Sequence, residues 1–95
     1  LYITRINEFQ AANGKTPALK EFLLAVIAAV EKAPGALHCE LLADSEDKSR
    51  LVVVETWESI AAHQAAAAII PKEKIAEVTA LLAAPPQGRY YQRIV

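Results

Sequence analysis

The segment Leu51-Val52-Val53-Val54 sets a large apolar side chain on each side of an extended chain in turn. Successive residues of a strand point to opposite faces of the sheet. A run with no polar alternation therefore requires cover on both faces. With 95 residues the chain makes one domain, 1–95. A domain this small buries a modest fraction of its surface, so a second subunit is a useful source of burial.

The remaining elements fall around that strand. Leu1 to Gln10 alternates as a strand, with Tyr2, Thr4, Ile6 and Glu8 on one face and Ile3, Arg5, Asn7 and Phe9 on the other. Asn13-Gly14 marks a turn. Thr16-Pro17 predicts a helix start, a hydroxyl cap followed by proline at the first helical position. Leu19, Phe22, Leu23, Val26, Ile27 and Val30 then form an apolar stripe at helical spacing, and Pro34-Gly35 ends it. Ala36 to Ala43 reads as a second strand and Leu51 to Trp57 as the third, joined by the polar run Asp44 to Ser49. Ser59 is the expected cap of a short helix, Ile60 to about Ala68. A further helix begins near Pro71, with Ile75, Val78, Leu81 and Leu82 inward. Arg89 to Val95 closes the chain as a fourth strand after Pro85-Pro86-Gln87-Gly88. The order β-α-β-β-α-α-β is α+β.

One helical layer covers one face of a four-stranded sheet. The opposite face is expected to carry Tyr2, Ile6, Val52, Val54 and Ile94, a patch larger than monomers usually leave wet. A two-fold homodimer through that face hides it; the alternative is a monomer with a partly exposed sheet.

Other classes find little support. More than half the residues are apolar, which argues against disorder, yet no run approaches the ~20 residues of a membrane span. The formal charge is −1 with scattered basic residues, so no phosphate-neutralising patch points to nucleic acid. The single cysteine, Cys39, offers neither a disulfide nor a CxxC motif, and a reduced cytoplasmic setting is expected. The chain opens at Leu1 without an initiator methionine, and Tyr2-Ile3-Thr4-Arg5 does not read as a secretion signal. His38 and His63 lie in different elements with no metal-ligand spacing, the glycines sit at turns rather than in a phosphate loop, and no GxSxG elbow occurs.

A small polar set remains on apolar elements. Asn7 is expected beneath the helices, where its amide either binds a ligand or satisfies nearby backbone. Trp57 ends the third strand and either walls a pocket or packs the core. Glu55 shares its face and needs a partner there, Arg5 being the candidate. His63 is the titratable group nearest Trp57, either a base or an ordinary helix histidine. Cys39 also faces the helices, as a small buried hydrophobe or a lining residue. Tyr90 and Tyr91 face opposite ways, so one of them lines any pocket; Tyr91 is assigned to it.

The segments Ile6-Asn7-Glu8-Phe9, Pro34-Gly35-Ala36-Leu37, Val54-Glu55-Thr56-Trp57-Glu58-Ser59 with Ala62-His63, and Ala84-Pro85-Pro86 before the last strand occur in this order. Their combination resembles the antibiotic biosynthesis monooxygenase (ABM) domain family over essentially the whole chain. The resemblance implies a ferredoxin-like fold with a four-stranded antiparallel sheet, paired into a dimeric α+β barrel with a pocket between sheet and helices. It implies a cofactor-independent monooxygenase acting on a small quinol-like or phenolic substrate, with no bound cofactor. Asn7 and the Trp57 indole N–H would bind substrate oxygens and His63 would act as general base. Phe9, Phe22 and Leu37 would form the walls, with Cys39, Glu55 and Tyr91 alongside. The alternative is a non-oxidative isomerase or a small-molecule-binding protein of the signal-processing type on the same fold, and the family also contains a haem-degrading branch. The haem-ligating histidine of that branch falls near Ala67, where this chain has none, and His63 comes about one turn earlier than the family's usual helix histidine.

Overall fold

The structure, a computed structural model, describes residues 2–95; the strand expected to begin at Leu1 is assessed from Tyr2 onward. Four antiparallel strands, β1 (Ile3–Gln10), β2 (Ala36–Ala43), β3 (Arg50–Trp57) and β4 (Gln87–Gln92), lie in the order β2-β3-β1-β4. Helices α1 (Thr16–Val30), α2 (Ile60–Ala68) and α3 (Lys72–Thr79) complete the order β-α-β-β-α-α-β. The fold is the expected ferredoxin-like α+β arrangement. No described helix is long and apolar enough to cross a membrane.

The apolar run Leu51-Val52-Val53-Val54 lies at the heart of the sheet, with β3 flanked by β2 and β1. On its helix-covered face Leu51, Val53 and Trp57 are buried. Leu19 and Leu23 of α1 meet Leu51 and Val53, and Phe9, Phe22, Leu41, Val78, Leu81 and Leu82 pack around them. Each fully buried leucine contributes about 1.5–3 kcal/mol relative to its exposed state. On the other face Ile6, Val52 and Val54 are only half-buried, while Leu42 and Tyr91 are 47% and 46% exposed. The double demand of β3 is thus satisfied on one side alone within a single chain.

Local chemistry explains most boundaries. Ser59 caps α2, its hydroxyl accepting from the Ala62 backbone N–H at 3.1 Å. At α1 the cap differs from expectation: Thr16 is the first helical residue, and Lys15 holds the cap position without a side-chain hydrogen bond. The turn at Gly14 (φ +76°) delivers the chain so that the Lys15 carbonyl already accepts from Leu19 N–H. Helix α3 begins just after Pro71, as predicted, but Ile75 is 53% exposed rather than inward. The short helix touches the core through Val78 and the following Leu81 and Leu82, which are drawn in where Ala11 and Leu82 bridge.

Strand β4 begins earlier and ends sooner than expected. Its last pair is Ile3↔Gln92, so β1 offers no partner beyond that point. Ile94 is consequently 96% exposed and lies outside the sheet rather than on its open face.

Candidate functional site

Strand register builds the site. Arg5 lies opposite Glu55 on β3 and Tyr90 on β4, while Asn7 lies opposite Val53 and Gly88. Cys39 lies opposite Glu55 on the far side of β3. Cross-strand partners share a face, so Arg5, Asn7, Cys39, Glu55, Trp57 and Tyr90 all point to the helix side. Helix α2 follows β3 after two residues, and its Ser59 cap brings His63 back over Trp57.

The centre of the cluster is Glu55, a carboxylate only 4% exposed. The Trp57 indole N–H donates to its Oε1 at 2.8 Å, and His63 Nε2 stands 3.9 Å from the same oxygen. His63 Nδ1 and the Tyr90 hydroxyl are 2.6 Å apart. The imidazole meets Trp57 and Tyr90 edge-on, with ring centres 5.4 and 5.3 Å away. The Arg5 guanidinium covers the Tyr90 ring, 4.5 Å from its centre.

Burial pushes the Glu55 carboxyl up, against the opposing pull of the Trp57 N–H and the Arg5 charge. Burial, with Arg5 as the second cause, pushes His63 down from 6.5. The site thereby favours an uncharged imidazole near neutrality. An imidazole of that kind accepts a proton readily only if the resulting cation is met by charge, and the carboxyl group beside it is that of Glu55, 3.9 Å away.

Several expectations need correction. The Trp57 N–H is not free to meet a substrate, because Glu55 occupies it. Arg5 and Glu55 oppose each other in register but form no contact ion pair, since the carboxylate turns to Trp57 and the guanidinium to Tyr90. Tyr90, not Tyr91, joins the site: Tyr91 pairs with Thr4 on the open face. Leu37 is the extra residue of a β-bulge between Ala36 and His38 and is 46% exposed on an edge strand. It cannot wall the cluster.

Phe9 and Phe22 pack on the core, Phe9 opposite Leu51 at the far end of β3 from Trp57. Cys39 also touches that core, and burial followed by the Glu55 charge pushes its thiol up to about 12. It is an inert thiol rather than a nucleophile.

Two residues were missed as a pair. Arg5 and Tyr90 are adjacent partners across β1 and β4, a proximity that parity on one strand could not reveal. Among the described residues, no three His, Cys, Asp or Glu side chains gather in a way that could hold a metal ion. A groove of about 590 Å³ opens elsewhere, between the end of α1 and α2, lined mainly by Ala29, Lys32, Ala33, Glu58, Ala62 and Ile69.

Comparison with known proteins agrees with the geometry. The family model described as antibiotic biosynthesis monooxygenase matches residues 2–68. No curated protein matches the chain in sequence. Among solved structures, Rv0793 from Mycobacterium tuberculosis superposes with a TM-score of 0.88 at 21% identity, over 100% of this chain and 97% of that one. PA3566 from Pseudomonas aeruginosa gives 0.84 at 24% identity, over 99% and 95%. SnoaB, a cofactor-independent oxygenase from Streptomyces nogalater, gives 0.82 at 17% identity, over 97% and 92%. At these identities the structural likeness establishes the fold, and the sequence model establishes the family: the chain belongs to the antibiotic biosynthesis monooxygenase family.

Proposed function

We propose that the chain is a cofactor-independent monooxygenase of an electron-rich aromatic small molecule, working as a homodimer paired through the open sheet face. The observation that carries the reading is His63, an uncharged imidazole set between the buried Glu55 carboxyl and the Tyr90 hydroxyl. A proton-accepting unit of this kind suits a reaction in which the substrate itself supplies the electrons. Loss of a proton from a phenol or an anthrone methylene gives an anion that reduces dioxygen. One oxygen atom then ends in the new carbonyl and the other leaves as water.

In this scheme His63 is the base, acting through the Tyr90 hydroxyl that contacts it. With Nε2–H turned to Glu55, Nδ1 receives the Tyr90 proton while the phenol oxygen takes one from the substrate. Glu55 stabilises the imidazolium that forms. Trp57 holds Glu55 in place, and Asn7, whose amide makes no hydrogen bond among the described residues, binds a substrate oxygen. Low water access around the cluster strengthens each of these interactions.

The dimer rests on Ile6, Val52 and Val54, left half-buried on the face opposite the helices. SnoaB, a cofactor-independent oxygenase with this fold, is in keeping with the chemistry.

Oxygen uptake with a panel of hydroquinones and anthrones, with and without a ring carboxylate, tests the assignment. Wild type should consume oxygen with at least one member, and His63→Ala should slow it by about a hundredfold, within the usual range for general-base loss. Asn7→Ala should also slow it. No turnover with any member, or two variants as fast as wild type, would remove the assignment. The His63–Tyr90 contact would equally serve a proton-transfer isomerase, and product formed under nitrogen would point to that reaction instead.

A further inference from the structure

Arg5 is a cation with no ion-pair partner among the described residues. It occupies the helix-covered face of β1, an inner strand with β3 and β4 on either side. A guanidinium in such a place is ordinarily retained by a carboxylate, because removing it from water without one is costly. Its register partner Glu55 has turned to Trp57 and His63. No carboxylate among the described residues lies within ion-pair distance of Arg5. Its Nε is sealed from water and has no acceptor among the described residues. The two terminal nitrogens make no hydrogen bond to the described residues either, yet they are not sealed in this way.

The group is nevertheless held firmly in position. The Tyr90 ring lies against it with the guanidinium carbon 4.5 Å from the ring centre, a stacking that fixes the plane of the fork. On β4 the residue between the two side chains is Gly88, where a Cβ would collide with Arg5 Nη2 and Asn7 Oδ1. The absence of a side chain there gives both groups a bed. Beside the fork, the Asn7 amide likewise has no hydrogen-bond partner among the described residues, its Oδ1 sharing with Arg5 Nη2 the open space at Gly88. An unpaired guanidinium and an unpaired amide thus lie together, next to His63 and Tyr90, where the reaction is assigned.

We propose that Arg5, assisted by Asn7, is the specificity-determining residue of this site and that the substrate is an aromatic acid whose carboxylate docks on the guanidinium. The flat fork matches a carboxylate through two parallel N–H···O bonds, geometry that a lone hydroxyl cannot reproduce. This rests on the site assigned under the proposed function but concerns binding, so it can be measured without turnover.

The test is calorimetry under nitrogen with two unreactive probes of similar shape, 2-naphthoate and 2-naphthalenemethanol. Wild type should bind the carboxylate at least about tenfold more tightly, and only that affinity should weaken with added salt. Arg5→Gln should abolish the preference while leaving the alcohol unchanged, and Arg5→Lys should restore part of it. Circular dichroism reports whether the variants fold, and the wild-type comparison stands if they do not. Equal affinity for the two probes, no binding of either, or a folded Arg5→Gln that keeps the preference would overturn the proposal. A carboxylate preference without oxygen uptake from any member of the panel, acid or neutral, would sink the oxygenase reading and leave this one as the specificity of a site with another chemistry. Oxidation of a neutral anthrone at the same rate by wild type and Arg5→Gln, with no preference for naphthoate, would do the reverse.

Discussion

Glu55 is a charged side chain buried at the centre of the site, only 4% exposed. Its folded-state pKa is raised, chiefly by burial. A group with a raised folded value contributes stability that is full below the unfolded value, here 4.5, and is lost as pH rises through the folded value. His63 has the opposite slope: its value is lowered from 6.5, so its contribution is full above 6.5 and fades as pH falls. Glu55→Gln keeps an acceptor for Trp57 but cannot ionise. The stability difference between wild type and this variant, from urea midpoints, should therefore move against wild type as pH rises from about 4 toward 7. A difference independent of pH would contradict the account. The thiol of Cys39, pushed up to about 12 by burial, should react with iodoacetamide at mildly alkaline pH roughly a hundredfold more slowly than free cysteine. A rate equal to that of the free amino acid would show the thiol to be open. Much of this chemistry was legible at the level of residue type. Asn7, Glu55, Trp57 and His63 stood out as polar or amphipathic groups on apolar elements, whereas their pairing did not. Nothing in the order of residues shows that Trp57 donates to Glu55 rather than to a ligand.

Elements were read more securely, because their signals are local. Strand β2 and helix α2 have the expected limits, and the Ser59 cap is formed as the pattern required. Replacing Ser59 by Ala should cost about 1 kcal/mol by removing that acceptor. Gly35 is more demanding, since it combines φ +85° with a position where a Cβ would come within 2.7 Å of the Ala62 Cβ. Gly35→Ala should therefore lower stability by more than Ser59→Ala, by about 2 kcal/mol or above. Thermal unfolding of both variants checks the ranking, and a reversed order would show that the turn tolerates a side chain. The elements that departed from expectation did so where a neighbour decides the outcome. Strand β4 ends where β1 runs out of partners, and Leu37 turns outward because a bulge adds a residue to β2.

At the scale of the whole molecule, the sheet is covered once and its other face is left half-buried. In the proposed dimer, pairing two copies through Ile6, Val52 and Val54 would satisfy the second demand of β3. Val54→Asp would set a carboxylate in the middle of that contact, so in light scattering wild type should be dimeric and the variant monomeric. A dimeric Val54→Asp variant, or a monomeric wild type, would dispose of this arrangement. A change on the helix side such as Asn7→Ala should leave the assembly intact, because the two faces act separately.

What the chain determined by itself was the pattern: β-branched residues on both faces of one strand, helical stripes between turns, and hence a covered sheet of the order β-α-β-β-α-α-β. Those signals depend on nearest neighbours and on the two periodicities of the backbone. The two-faced strand Leu51 to Trp57 is the strongest of them. Tertiary structure alone decided which polar groups meet. Register set Arg5 opposite both Glu55 and Tyr90, a helix cap carried His63 over Trp57, and Gly88 left room for two side chains from another strand. The first and last of these join residues far apart in sequence, and the choice among competing partners is made by distance and burial, which no local pattern encodes.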